Sequence, residues 1–520
     1  MTTLAPGIAP PEPQTNGSVS RSALGRLARG TSIYTMGTAL NKLLLLVIQV
    51  LLARLLRISG YGLYSLGFNA LILLQSVALF GLDQSVLRYA ALYRNRGQAE
   101  FIKGTLLASL TLGVGMSLIL AAALVLLAPS LSASVFREPQ LAPAIRMFAL
   151  ALPFLNVTRI TGAFAQSHHD IFRMTAIQQI SQPGLNLLLV CALFFLGAGL
   201  RWAVGAFVVS AAFSAFVGAY SVRSIFPRFF SSLRARFHGV ELVRYSLALA
   251  AIAILYQLFW RAPTLLLGHL SEAAQVGLYT AAATLASPPG FISLIFAQPF
   301  MPTMVDLYEQ RDFESLGSLY TTVTRWTQMV VIPSLGILVL FRRQILALFG
   351  RDFQSGDRIL IPLGLAWMIY YAKGPVSAVL DMTGRQIVDL ANLAGVLVLS
   401  LTLGLWLIPK YGVSGAGWAI SASVLMWSAA ELAEGWIYFR FPPFSKHLFQ
   451  SLFLAGIVFG FGAFLQDHVS PIAEAISVGA SYALISYFFG LTPTDRDLLR
   501  RAFQRASALL TRPVMSRAQD

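Results

Sequence analysis

Acidic residues and cysteine are what this sequence has least of. Its 520 residues hold 22 Asp and Glu against 38 Lys and Arg, six His and one Cys, and charged residues make up 12% against 56% hydrophobic. A soluble chain carries about a quarter charged residues, so this shortage excludes an ordinary globular enzyme and points to a polytopic membrane protein. The mean hydropathy of +0.69 agrees. The lone Cys191, inside LNLLLVCALFFLG, cannot close an intrachain disulfide, and no Cys/His cluster has metal-ligand spacing. The first 20 residues lack the basic start and apolar core of a cleavable signal and read as a disordered tail. The formal charge of +16 is not that of a nucleic-acid binder, because the bases fall in gaps between apolar runs. Anionic lipid headgroups on the cytoplasmic side account for them.

Fourteen apolar runs are long enough to cross the hydrocarbon. They lie near 31–56, 61–82, 104–128, 141–165, 171–197, 202–222, 241–263, 275–300, 316–341, 357–380, 387–408, 412–436, 447–465 and 471–490. Lipid offers no water to unpaired peptide groups, so such runs must be helices; they lack the alternation of a barrel. The expected fold is an all-α integral membrane protein of about 14 transmembrane helices. Basic residues concentrate in the gaps after every second span, as with Arg94, Arg96 and Lys103 or Arg228, Arg234 and Arg236. This bias predicts that both termini are cytoplasmic. The basic stretch FRRQILALFGRDF, on the other side, is the exception. SSLRARFHG and the C-terminal tail have the composition of surface amphipathic helices.

RISGYGLYSLG, from Arg57, has a near echo in EAAQVGLYTAA, from Glu272. RITGAFAQSHHDIFR, from Arg159, stands opposite SAVLDMTGRQIVDL, from Ser377, and GLRWAVGAF opposite YGVSGAGWA. Several weak matches at one offset of about 215 residues predict two six-helix parallel repeats, plus a C-terminal pair. The expected division is a cytoplasmic tail at 1–30, six-helix bundles at 31–222 and 241–436 joined by a cytoplasmic connector at 223–240, an additional helix pair at 447–490, and a basic cytoplasmic tail at 491–520. Gly62 and Gly277 fit a close approach where the next helix begins, and Tyr64 and Tyr279 fit the headgroup boundary.

Polar residues inside apolar spans face protein or water far more often than lipid. The candidates for substrate binding are Lys42, Gln49 and Arg54 in the first span, Asn156 and Arg159 in the fourth, Gln179 and Asn186 in the fifth, Gln257 and Arg261 in the seventh, and Tyr370 and Lys373 in the tenth. Together they describe a net-positive cavity: Arg grips phosphate with a rigid fork, while amides and phenols suit sugar hydroxyls. Asp83 and Arg88 read as a gate or a salt bridge at a helix end. Glu431 and Glu434, at i,i+3, are candidates for a coupling proton or sodium ion. His168, His169 and Asp170 lack a plausible nucleophile or metal partner.

LLARLLRISGYGLYSLGFNALILLQSVALFGLDQSVLRYAALYRNRG resembles the polysaccharide transporter family, the O-antigen and capsule repeat-unit flippases of the multidrug/oligosaccharidyl-lipid/polysaccharide exporter superfamily. The family stretch ARxLGxxxYGxYSL corresponds to Ala53, Arg54, Tyr61, Gly62, Tyr64 and Ser65, and G(L/F)xxxxxRxxA to Gly81, Leu82, Arg88 and Ala90. The resemblance covers about residues 28–490. It implies two bundles around a cationic cavity in the bacterial inner membrane, and movement of an undecaprenyl-diphosphate-linked glycan to the outer leaflet without enzyme chemistry. It also implies ion coupling. Membrane lipids and a polysaccharide polymerase or export machinery are the partners expected, with no nucleic acid and no cofactor. The arginine-rich early motifs of lipid II flippases are not recognisable here, and Lys42 stands in a first helix where drug exporters carry an acid. The alternatives are a multidrug or other lipid exporter of the same superfamily and a membrane glycosyltransferase or ligase, the latter disfavoured by uniformly short loops.

Overall fold

The computed structural model describes residues 21–490 except 232, 238, 289, 291–299, 442–445 and 466–470, together with 496. Residues 1–20 of the tail expected at 1–30 and the tail expected at 491–520, apart from 496, lie outside the described residues, as do Ser232 and His238 of the connector, whereas residues 21–30 already open the first helical run. Helices dominate the described residues, which contain no strand. Backbone groups in hydrocarbon must pair within their own segment, and the sequence supplies apolar side chains all round rather than one apolar stripe.

The first helical run, Arg21–Leu79, is two helices joined at a kink where Arg57 takes a left-handed φ of 56°. After a turn at Gly81 the chain continues as Leu82–Asn95, then Ala99–Ser130, and the pair Leu141–Ala149 and Leu152–Ser167. Ile171–Thr175 runs through a π-helical stretch into Gln182–Leu196, and Leu200–Ile225 completes the first half. The second half contains Gly239–Leu270, Ala273–Ala286, Met301–Glu309, Phe313–Leu340, the bent pair Leu360–Ala372 and Val376–Met382, Gln386–Tyr411, and Val413–Phe439. Lys446–Leu465 and Pro471–Ile485 follow. Among the described residues nine continuous runs are long and apolar enough to span a membrane, ten with the pair bent by 46°. The Arg57 kink divides the first of these, the last two helices are shorter, and the eighth expected span crosses residues that are not described. These account for the fourteen expected segments.

The repeat is visible in helix starts. Ile171 and Gln386 each open a helix after a tight turn, and Leu200 and Val413 open the helix that follows, again about 215 residues apart. One hydrophobic core runs through both halves, from Leu52 and Tyr61 through Phe259 and Val276 to Leu360 and Trp427. The C-terminal pair packs separately: Ala455, Val458, Val478 and Tyr482 cluster with Ile332 of the Phe313–Leu340 helix. Gly336 lets the Phe459 ring approach so closely that an added Cβ would lie 2.3 Å from it.

The connector departs from expectation. Residues 233–237 are not helical, and Arg236 lies against the start of Ala99–Ser130. The Arg236 amide donates to Glu100 O (3.2 Å), its Nε pairs with Glu100 Oε2 (2.7 Å), and Lys103 Nζ donates to Ser231 O (2.8 Å). Contacts to a neighbouring helix replace the intrahelical bonds that an isolated amphipathic segment would make.

Candidate functional site

The two halves meet most closely just beyond the Arg57 kink. A Cβ on Gly62 would stand 1.8 Å from Ala273 O, and one on Gly277 2.4 Å from Ile58 O. Both glycines therefore serve a backbone-to-backbone crossing that no larger residue permits. Other ties gather at this end. Ala273 N donates to Glu138 Oε1 (3.3 Å), His269 Nδ1 to Val135 O (2.6 Å), and Arg54 Nε to Leu348 O (2.7 Å). The Tyr61 ring lies edge-on to Phe349 and Phe353, and its hydroxyl donates to Gln49 Oε1 (2.8 Å). Arg54 thus ties the two halves, while Gln49 holds Tyr61 within the first. Tyr64 and Tyr279 turn no ring outward toward headgroups: both are buried in the core, Tyr64 against Phe148 at 5.3 Å. The glycine crossing brings a neighbouring helix over side chains that would be exposed on an isolated one.

Toward the other end, the helix after Gly81 lies on the start of Gly239–Leu270. Ser85 Oγ and Ser246 Oγ are 2.6 Å apart, and the Arg88 guanidinium sits 4.4 Å from the Tyr245 ring centre. Arg88 makes no ion pair with Asp83 among the described residues. Asp83 instead occupies the first turn of Leu82–Asn95, where a negative charge suits the helix dipole. One helical turn and a half separates them in the chain, and the nearby aromatic ring draws Arg88 toward the other half.

Between these ends lies Arg261. Its Nη1 donates to Asn69 Oδ1 across the seam (2.8 Å), and its guanidinium stands 5.9 Å from the Phe68 ring centre. Nε is buried without a partner among the described residues, and no carboxylate pairs with this guanidinium there. A cation held by a neutral amide keeps its charge available to an anion. Beside it Trp260, Trp367 and Tyr371 form a near-parallel stack with spacings of 4.8 and 5.2 Å. Gln257, one turn before Arg261, is half-buried.

Lys373 has the opposite surroundings. It is buried in the second half and ion-paired to Glu431, which is 0% exposed. Ser377 Oγ donates to Glu431 Oε1 (2.9 Å), and Tyr370 lays its ring 4.0 Å from the ammonium. Lys373 and Tyr370 therefore join helices within one half rather than forming a free wall of positive charge. Glu434, one turn along, accepts from Asn392 Nδ2 with both oxygens (2.8 and 2.9 Å). Asp389 lies within electrostatic reach of Glu431, Asp381, Glu434 and Lys373. Its Oδ1 is buried without a partner among the described residues. This acidic group was missed because Asp389 falls at a span edge, where a carboxylate reads as a helix start.

The remaining candidates divide. Asn156 is fully buried and donates to Ser117 Oγ (2.7 Å), so it bonds two helices of the first half. Arg159 and Lys42 are exposed. Arg159 O accepts from Gln178 (3.3 Å). Gln179 is half-buried, and its backbone oxygen accepts from Asn41 (2.6 Å). Asn186 is buried, with Oδ1 unpartnered among the described residues. The histidine turn is structural: Arg94 Nη2 donates to His169 Nε2 (2.8 Å), and Asp170 caps the next helix through Arg173 N (3.0 Å). Asn69 was also overlooked, although an amide inside the apolar run GFNALILL carried the same signal as Asn156.

The chain matches the family model described as polysaccharide biosynthesis protein over residues 27–308. It is 23% identical to the succinoglycan biosynthesis transport protein ExoT of Rhizobium meliloti (strain 1021), covering 90% of this chain and 93% of that protein. It is 21% identical to the stage V sporulation protein B of Bacillus subtilis (strain 168), covering 76% and 81%. The fold is similar to that of the lipid II flippase MurJ in an inward closed conformation, with a TM-score of 0.67, 15% identity, and coverage of 90% and 99%. With its helical seam, paired glycines and these relatives, the chain belongs to the polysaccharide biosynthesis protein family of the multidrug/oligosaccharidyl-lipid/polysaccharide exporter superfamily.

Proposed function

We propose that this protein moves a polyprenyl-diphosphate-linked oligosaccharide from the inner to the outer leaflet of a bacterial inner membrane by alternating access, with both termini cytoplasmic. The observation that carries this reading is Arg261, a half-buried guanidinium at the seam whose partner is the neutral Asn69. The diphosphate would displace Asn69 and take the guanidinium fork, while a sugar ring lies against an outer face of the Trp260–Trp367–Tyr371 stack and bonds to Gln257. Binding there would loosen the bond between halves, so cargo and conformational change are linked by one residue.

The polyprenyl tail stays in lipid. Each CH₂ is worth about 0.8 kcal/mol in an apolar medium, so withdrawing tens of carbons is prohibitive and only the headgroup needs shelter. In an inside-negative membrane, outward movement of an anionic headgroup is favoured by about 2.3 kcal/mol per charge per 100 mV. No covalent bond changes in this cycle. A proton or sodium ion is proposed as the coupling species. The unpartnered Asp389 oxygen beside Glu431 and Glu434 is its most suitable stopping point, because a cation there would relieve the crowding of carboxylates around Lys373.

Mass spectrometry of polyprenyl lipids from cells with and without the protein tests this reading. Accumulation of one diphosphate-linked oligosaccharide in its absence, reversed by wild type and not by Arg261→Gln, is the expected result. An unchanged lipid profile would contradict it and favour export of another lipid or of a drug.

A further inference from the structure

The basic stretch on the wrong side of the membrane for the charge bias has a built environment. Arg342–Leu346 and the 3₁₀ turn Arg351–Ile359 connect Phe313–Leu340 to Leu360–Ala372, at the same end of the molecule as the Arg57 kink, where Arg54 reaches Leu348 and Tyr61 meets Phe349. There Arg342, Arg343 and Arg358 surround a cavity of about 370 Å³ that is also lined by Asp357, Ile361 and Trp418. Asp357 is buried and accepts from Arg342 Nε (3.3 Å) and Arg343 Nε (2.8 Å). Because both bonds use Nε, the carboxylate orients two guanidiniums while leaving the terminal nitrogens of the 69% exposed Arg343 side chain without a partner among the described residues. Arg342 spends Nη1 on Val339 O (3.2 Å). Arg358 is exposed and has no ion pair among the described residues. Three guanidiniums against one carboxylate leave two positive charges on this cavity.

We infer that this pocket is a binding site for the phosphate or diphosphate of a lipid at the outer boundary of the membrane. Guanidinium forks match phosphate oxygens in pairs, which a lysine cluster would not. The volume falls in the range of about 300–1,000 Å³ typical of small-molecule sites and exceeds the need of a lone phosphate. The rest of the lining supplies the second half of the argument: Trp418 is 52% exposed and Ile361 41%, so the cationic end opens onto an apolar rim. A tryptophan at that rim suits the interface between headgroup and chain. The ligand chemistry is therefore an anionic phosphate carried on a hydrocarbon. It is met by a translocated diphosphate lipid, where the pocket would receive cargo leaving the seam, or by a resident anionic phospholipid. The site is separate from Arg261, and its assignment to the outer boundary rests on the orientation proposed above.

The test is photolabelling of the full chain in liposomes with a polyprenyl diphosphate carrying a diazirine in its first isoprene unit, followed by peptide mapping. The expected result is labelling of the segment containing Ile361 or Trp418, reduced about tenfold in Arg343→Gln/Arg358→Gln, since charge-assisted hydrogen bonds to phosphate are lost. Arg358→Gln alone, at an exposed position outside the Asp357 pairs, gives an intermediate loss and guards against misfolding of the double variant. Competition by phosphatidylglycerol assigns the site to a resident phospholipid, and its failure to compete assigns the site to the diphosphate lipid. Competition by inorganic pyrophosphate at equal concentration would overturn the lipid assignment. Wild type unlabelled at these residues, or labelling unchanged in folded variants, would overturn the site. Failure of the transport reading would appear instead as an unchanged cellular lipid profile, whatever the labelling.

Discussion

Arg261 and Lys373 are both cations among apolar helices, yet the protein treats them in opposite ways. Lys373 is enclosed in the second half, its charge answered by Glu431 and its ammonium covered by the Tyr370 ring. Arg261 lies on the seam and is answered by an amide. A buried ion pair is expensive to break and nearly neutral to replace as a unit, so Lys373 reads as an internal tie. A guanidinium without a counter-carboxylate gains most from an arriving anion, so Arg261 reads as the group that waits for cargo. A charged residue in hydrocarbon is therefore a lead to function only once its partner is known.

Four changes break or sharpen this contrast. The largest expected effect on transport is that of Arg261→Gln, which should cut cargo movement about 10- to 100-fold through the lost charged hydrogen bonds. Membrane insertion should be normal, and quantitation of outer-leaflet glycolipid checks it. Lys373→Met should act on stability instead. It strands Glu431 and should cost roughly 3–5 kcal/mol, seen as a lower thermal midpoint of the purified protein, with much of the loss recovered in Lys373→Met/Glu431→Gln. A double variant as unstable as the single one would mean that the pair is not the tie described.

Gly62→Val should force the glycine crossing apart at a cost of about 1–3 kcal/mol. A cysteine placed at Ala273, which is buried at the crossing, in a Cys191→Ser background should become more reactive toward a water-soluble maleimide. The smallest effect is expected for Asn156→Ala, about 1 kcal/mol for a hydrogen bond lost between two helices of one half. Its transport should match wild type once corrected for the amount of folded protein.

Helix number and the repeat were legible because lipid makes both periodicity and length severe constraints: an apolar run of the right length has few alternatives. The glycine echo was legible for a related reason, since Gly62 and Gly277 sit where neither helix tolerates a Cβ. Partners were not legible. Asn156 and Asn69 look alike as lone amides in apolar runs, and only packing sends one to Ser117 in the same half and the other to Arg261 across the seam. Tyr64 and Tyr279 misled because an interface residue and a core residue at a helix crossing share the same amphipathic chemistry. Glu431 and Glu434 were legible as a pair, but their neighbour Asp389 was not, because the acidic group is assembled from the bend after Lys373 and two later helices.

The most direct test of the central claim is the appearance of a polyprenyl-diphosphate glycan in the outer leaflet of liposomes containing Arg261→Gln, compared with Asn156→Ala at equal amounts of folded protein. The account predicts that movement is lost in the first and retained in the second. Equal rates in the two would contradict it.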